Sequence, residues 1–252
     1  TVGPMVAGHH FVQGLKAAGL LSEVGRIKAE MYGSLGATGR GHGTPKAILL
    51  GLEGELPESV DVAGIADRVT AIRTQGRLTL AGEHSISYSH EHDLILHRRK
   101  ALPSHPNGMR FTAYTPLGRE LMQKVFYSVG GGFVVDESAA DSDCIIEDSH
   151  RLRYPFDTAA ELLSLCEQHS LSISQLMLAN ETAWRSEQET RDGLLHLWSV
   201  MQSCVDNGIA NQGVLPGGLN VPRRAHELHQ KLISRPEAAL ADPLAILDWV
   251  SL

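Results

Sequence analysis

Residues that alternate between polar and apolar lie in the first part of the chain, and beyond residue 155 only helical spacing is left. No other feature restricts the fold as much. Alternation and short apolar runs predict strands at 26–32, 77–80, 93–97, 109–115, 122–127 and 133–136, separated by Gly, Pro and Ser. Met5, Phe11, Val12, Leu15 and Leu20 follow one helical face over residues 4–21, where Gly8 and Gly14 allow close packing. Thr44 and Pro45 read as the N-cap and first residue of a short helix, and Asp61 as the cap of another that carries Ile65, Val69 and Ile72. Helices at the start with strands after them imply an α+β domain. Residues 139–154 are polar and irregular and Pro155 opens a new section, so the expected domains are 1–154 and 155–252. The second is all-helical, with stripes at Leu162, Leu163 and Cys166, at Ile173, Leu176 and Met177, and at Leu194, Leu197, Trp198, Met201 and Val205.

Composition narrows the partners. The 252 residues are 42 % hydrophobic and 20 % charged, enough for a sizeable core. A net charge of −7 without a basic block points away from nucleic acid and anionic membrane surfaces and toward small or zwitterionic ligands. No apolar run approaches the roughly 20 residues that cross a bilayer, and no signal-peptide pattern opens the chain. Cys144, Cys166 and Cys204 form no C-x-x-C pair, which suits a reducing compartment, and a cytoplasmic protein is expected. The chain opens on Thr1 and stops within an apolar pattern at Leu252, so the helical domain reads as incomplete.

Candidate chemistry begins at Gly39-Arg40-Gly41-His42-Gly43-Thr44-Pro45. A helix starting there offers unpaired N–H groups and a positive dipole end to a carboxylate, beside an imidazole able to move a proton at neutral pH. An ordinary strand-to-helix turn with an exposed histidine explains the same run. His105-Pro106-Asn107-Gly108 reads as a turn, yet supplies an imidazole and an amide with both donor and acceptor. Gly130-Gly131-Gly132 after Ser128 is either an anion-binding nest or a hairpin turn. His90-Glu91-His92 and His9-His10 lack metal-ligand spacing, and the cysteines read as small hydrophobes or linker residues. Arg223-Arg224 can grip a carboxylate but more simply makes surface ion pairs.

Thr1-Val2-Gly3-Pro4-Met5, Gly39 to Thr44, His105 to Met109, Gly130 to Phe133 and Leu215-Pro216-Gly217-Gly218-Leu219 together resemble the bacterial iron–sulfur L-serine dehydratases, the single-chain type above all. The resemblance implies a β domain, similar to the allosteric substrate-binding domain of some phosphoglycerate dehydrogenases, ahead of an all-helical α domain. It implies removal of water from L-serine to give pyruvate and ammonia, with a [4Fe-4S] cluster as Lewis acid and without pyridoxal phosphate. His42 matches a family active-site histidine and is the candidate base. His105 and Asn107 match pocket residues, and Ser128 and Gly130 add hydroxyl and backbone donors. The cluster cysteines are expected beyond Leu252, so no metal ligand is assigned within the chain. A homodimer is expected. The alternative is a regulatory module that binds serine without converting it.

Overall fold

The computed structural model describes residues 2–137, 150–215, 220–234 and 242–252. They fall into two compact units, one before residue 138 and one from residue 150 onward. The fold class is α+β, as expected: the first unit is a sheet with helices, and the second is helical.

In the first unit, helix α1 (Val2–Ala17) leads into strand β1 (Arg26–Met31), then α2 (Gly33–Thr38), α3 (Thr44–Leu52) and α4 (Ile65–Gln75). A hairpin of β2 (Arg77–Leu80) and β3 (His84–Ser87) follows, then a single helical turn α5 (His90–Asp93), and β4 (Leu94–Leu96), β5 (Gly108–Tyr114), β6 (Glu120–Gly130) and β7 (Phe133–Asp136). The main sheet has the order β4-β1-β5-β6-β7, with β1 and β4 parallel and the other pairs antiparallel.

Alternation along β1 sends Ile27, Ala29 and Met31 to one face, opposite Ala113, Phe111 and Met109 of β5. On that face Phe11 of α1 stacks on Phe111 at 5.4 Å, and Phe126 meets Phe111 edge to face at 5.9 Å. The two helices over this core touch backbone to backbone. A Cβ at Gly51 would lie 2.1 Å from Met5 O, and one at Gly8 would lie 3.0 Å from Ile48 O. Gly14, also expected to allow close packing, has only Met122 Sδ near it, at 3.9 Å.

Local sequence signals fall short of the tertiary structure in three places. The glycine-rich run from Gly33 is a helix, α2, because Gly33 takes φ 55° and Gly36 fits against His97 O and Met31 O, where a Cβ would lie 2.3 Å and 2.9 Å away. Asp61 holds a turn through Ala63 N–H, and Gly64 is the residue that precedes α4. Strand β3 escaped the sequence reading because His84–Ser87 has one buried apolar residue, Ile86, which pairs with Leu78.

The second unit contains α6 (Ala159–His169), α7 (Ile173–Glu181), α8 (Glu187–Ala210), α9 (Ala225–Ile233) and α10 (Pro243–Ser251). Thr158, Ser172 and Ser186 each form a capping box with Glu161, Gln175 and Glu189, which starts α6, α7 and α8. Asn180 clasps the backbone of Tyr154 through two hydrogen bonds of 2.8 Å. The stripe Leu194, Leu197, Trp198, Met201 and Val205 on α8 is exposed. Among the described residues, no helix is long and apolar enough to cross a membrane.

Candidate functional site

The loop before β5 and the hairpin after β6 are tied together residue by residue. Ser128 N–H donates to Asn107 O at 3.0 Å, and Asn107 Nδ2 donates to Ser128 O at 3.3 Å. Asn107 N–H in turn donates to His105 Nδ1 at 3.1 Å. With Nδ1 accepting, a neutral His105 ring carries its proton on Nε2, as a donor. His105, Asn107 and Ser128 are therefore one hydrogen-bonded patch.

Two helix ends meet that patch. A Cβ at Gly3 would lie 2.2 Å from Ser128 Oγ, so the first turn of α1 rests directly on the serine and brings its positive dipole end there. At α2, Gly33 N–H donates to Lys100 O at 2.7 Å and Ser34 N–H to Pro106 O at 2.9 Å, which fixes the loop carrying His105. Gly130, with φ 105°, Gly131 and Gly132 form the tip of the β6–β7 hairpin.

His42 lies on the exposed turn after α2, its amide donating to Thr38 O at 3.4 Å. Helix α2, about 9 Å long at 1.5 Å per residue, spans the interval from this turn to loop 105–107. The expected carboxylate seat at α3 is largely filled by its own backbone. Thr44 N–H donates to Gly39 O at 2.9 Å, Pro45 has no N–H, and Gly43, at φ 73°, is the N-cap without a side-chain bond. Thr44 is not the cap. It begins α3, and its hydroxyl is fully buried without a partner among the described residues.

The other face of the sheet carries an ionic network that sequence reasoning missed. Glu30, 8 % exposed, accepts from His97 Nε2 at 2.8 Å and pairs with Lys28 at 3.1 Å. Burial pushes the Glu30 carboxyl up, but the bonds from His97 and Lys28 outweigh it and hold the group below its ordinary value. Tyr32 stacks on His97 at 4.5 Å, and the Arg110 guanidinium lies 5.4 Å from the Tyr32 ring centre. Burial, then the Glu30 charge, raise the Tyr32 phenol. The only hint in the sequence was Lys28 and Glu30 at alternate positions of a strand.

His90-Glu91-His92 lies in the helical turn α5, and the carboxylate of Asp93, its last residue, accepts from Arg26 Nε at 2.5 Å. A [4Fe-4S] cluster needs converging thiolates. Cys166 is half-buried on α6, Cys204 is exposed on α8, and Cys144 lies outside the described residues. Among the described residues no group of three or more His, Cys, Asp or Glu gathers as metal ligands, so these residues do not fit such a cluster.

The family model described as serine dehydratase beta chain matches residues 1–139, and that described as serine dehydratase alpha chain matches residues 168–251. The chain is 52 % identical over 253 residues to an L-serine dehydratase of Streptomyces coelicolor, covering 100 % of this chain and 54 % of that protein. It is 41 % identical over 254 residues to L-serine dehydratase 1 of Escherichia coli, covering 100 % and 55 %. An L-serine dehydratase of Helicobacter pylori is 33 % identical over 253 residues, with 100 % and 54 % covered. The chain spans about half the length of the curated relatives it matches. A beta-chain match on the unit that holds the His105–Asn107–Ser128 patch, and an alpha-chain match on the helices after it, identify the chain as a member of the serine dehydratase family.

Proposed function

We propose that this chain carries the substrate-positioning part of an L-serine dehydratase, which converts L-serine to pyruvate and ammonia. The observation that supports it best is the hydrogen-bonded patch of His105, Asn107 and Ser128 at the start of α1. In this reading His105 Nε2–H and the α1 dipole end hold the substrate carboxylate, and Asn107 Oδ1 accepts from its ammonium group. Ser128 Oγ and the Gly130 backbone complete the polar lining. A ring nitrogen of His42 takes the α-proton, and the electron pair of the broken C–H bond forms the Cα=Cβ bond of aminoacrylate as the hydroxyl leaves. No described residue of this chain is assigned to the departure of that hydroxyl.

The reading includes domains at 1–154 and 155–252 and a cytoplasmic homodimer. The iron–sulfur cluster implied by the resemblance would draw its cysteines from outside this chain. The exposed stripe of Leu194, Leu197, Trp198, Met201 and Val205 is assigned to contacts with the remaining length of a longer protein. Serine binding without conversion is the second reading, favoured because His105, Asn107 and Ser128 all belong to the first unit. Calorimetry with L-serine, together with a pyruvate assay on the polypeptide extended past Leu252, separates them. Binding with pyruvate formation supports the dehydratase, binding without it supports the regulatory module, and absence of binding contradicts both.

A further inference from the structure

At the other end of α2, a cavity of about 350 Å³ opens between the turn that carries Arg40, the helical turn α5 and the edge strand β4. Arg40, Pro45, His90, Glu91 and Arg98 line it together with Leu94, Ile95 and Leu96 of β4, of which Leu94 is buried in the core and Ile95 and Leu96 stay partly exposed. Among the described residues neither Arg40 nor Arg98 is in an ion pair, whereas Arg26 is paired with Asp93 and Arg68 with Glu53. Arg40 and Arg98, from separate segments, thus line one cavity whose lining holds a single carboxylate, that of Glu91.

His90 adds no charge. Burial, then the fields of Arg73 and Arg40, hold its imidazole below the ordinary value, against the opposing pull of Glu91, so the ring is neutral at pH 7. Its Nδ1 is engaged with the Tyr88 hydroxyl at 2.9 Å. The lining charge is then that of two arginines and one glutamate, a net positive charge suited to a monoanion. A planar guanidinium matches a carboxylate in shape as well as charge. The partly exposed Ile95 and Leu96 of β4 supply an apolar side suited to a short hydrocarbon chain.

We propose that this cavity binds a small aliphatic carboxylate, its carboxyl group between Arg40 and Arg98 and its hydrocarbon part against β4. The cavity lies at the opposite end of α2 from the loop that carries His105, and neither Arg40 nor Arg98 is among the residues assigned to serine. Arg40 and His42 share one turn, so a ligand that fixes Arg40 restrains the turn on which His42 rides.

The test is titration calorimetry of the protein with sodium butyrate, and with inorganic phosphate as a tetrahedral anion lacking a hydrocarbon part. Butyrate should bind, phosphate should bind at least about tenfold more weakly, and Arg40→Gln and Arg98→Gln should each weaken butyrate binding by about tenfold or more. Circular dichroism verifies that both variants fold, and Arg119→Gln, on a distant turn, should leave the affinity unchanged. Absence of butyrate binding at millimolar concentration, equal affinity for phosphate, or full affinity in both arginine variants would overturn the proposal. Loss of butyrate binding in His105→Ala would place the ligand in the serine patch and overturn it as well.

Discussion

Asn107 and Ser128 hold each other by the backbone and by a side chain: Ser128 N–H donates to Asn107 O at 3.0 Å, and Asn107 Nδ2 donates to Ser128 O at 3.3 Å. The pair joins the loop before β5 to the hairpin after β6, and all three polar residues of the patch depend on it. Asn107→Ala removes one of the two bonds and should cost about 1 kcal/mol of stability. L-serine affinity should fall further than that, because the amide is also a ligand in the proposed site. Denaturant unfolding and calorimetry on the same variant give the two numbers, and equal losses would reduce Asn107 to a structural role.

Gly33 and Gly3 both abut the patch, but what they abut differs. A Cβ at Gly33 would lie 2.0 Å from Pro106 O, a backbone atom, at a residue with φ 55°. At Gly3 the nearest atom is Ser128 Oγ, the rotatable end of a side chain, although Ser128 Cβ follows at 2.8 Å. Gly33→Ala should therefore lower stability by about 2 kcal/mol or more and displace His105. Gly3→Ala should be milder in stability while still weakening serine binding. Thermal melts and serine titrations of the two variants check the order.

Thr44 offers a direct contrast between sequence rule and structure. Were its hydroxyl the cap of α3, Thr44→Val would cost about 1 kcal/mol. Because the hydroxyl is buried without a partner among the described residues, the substitution should be neutral or stabilising by about 1 kcal/mol. The sign of the change in urea midpoint decides.

Glu30 sets a pH dependence of stability. Its folded value lies below the ordinary 4.5, so the folded state favours the ionised carboxylate. That contribution is complete above the unfolded value and is lost as the pH falls through the folded one. Stability should drop below about pH 4.5, and Glu30→Gln should flatten this part of the profile while lowering stability at pH 7. Urea unfolding at pH 3.5, 5 and 7 on both proteins measures it.

Much of the fold was legible because its signals are local. The strands at Arg77–Leu80 and Phe133–Asp136 follow from short apolar runs between turn residues, and β1 from the alternation of Ile27, Ala29 and Met31. What failed depends on distant partners. Nothing local marks Gly33–Thr38 as a helix, since the space for it is made by Pro106 and His97. The site was legible in the same measure. Histidine and asparagine in one turn named His105 and Asn107, whereas the contact of Gly3 with Ser128 and the Glu30–His97 bond join residues 125 and 67 positions apart in the sequence.

In the proposed site His42 moves the proton while His105 holds the substrate. Steady-state pyruvate formation from L-serine by the polypeptide that contains this chain and extends past Leu252, with His42→Gln and His105→Gln compared, tests it most directly. His42→Gln should lower kcat by about 10²–10⁴-fold with KM little changed, and His105→Gln should chiefly raise KM. Wild-type kcat in His42→Gln, or an unchanged KM in His105→Gln, would contradict the assignment.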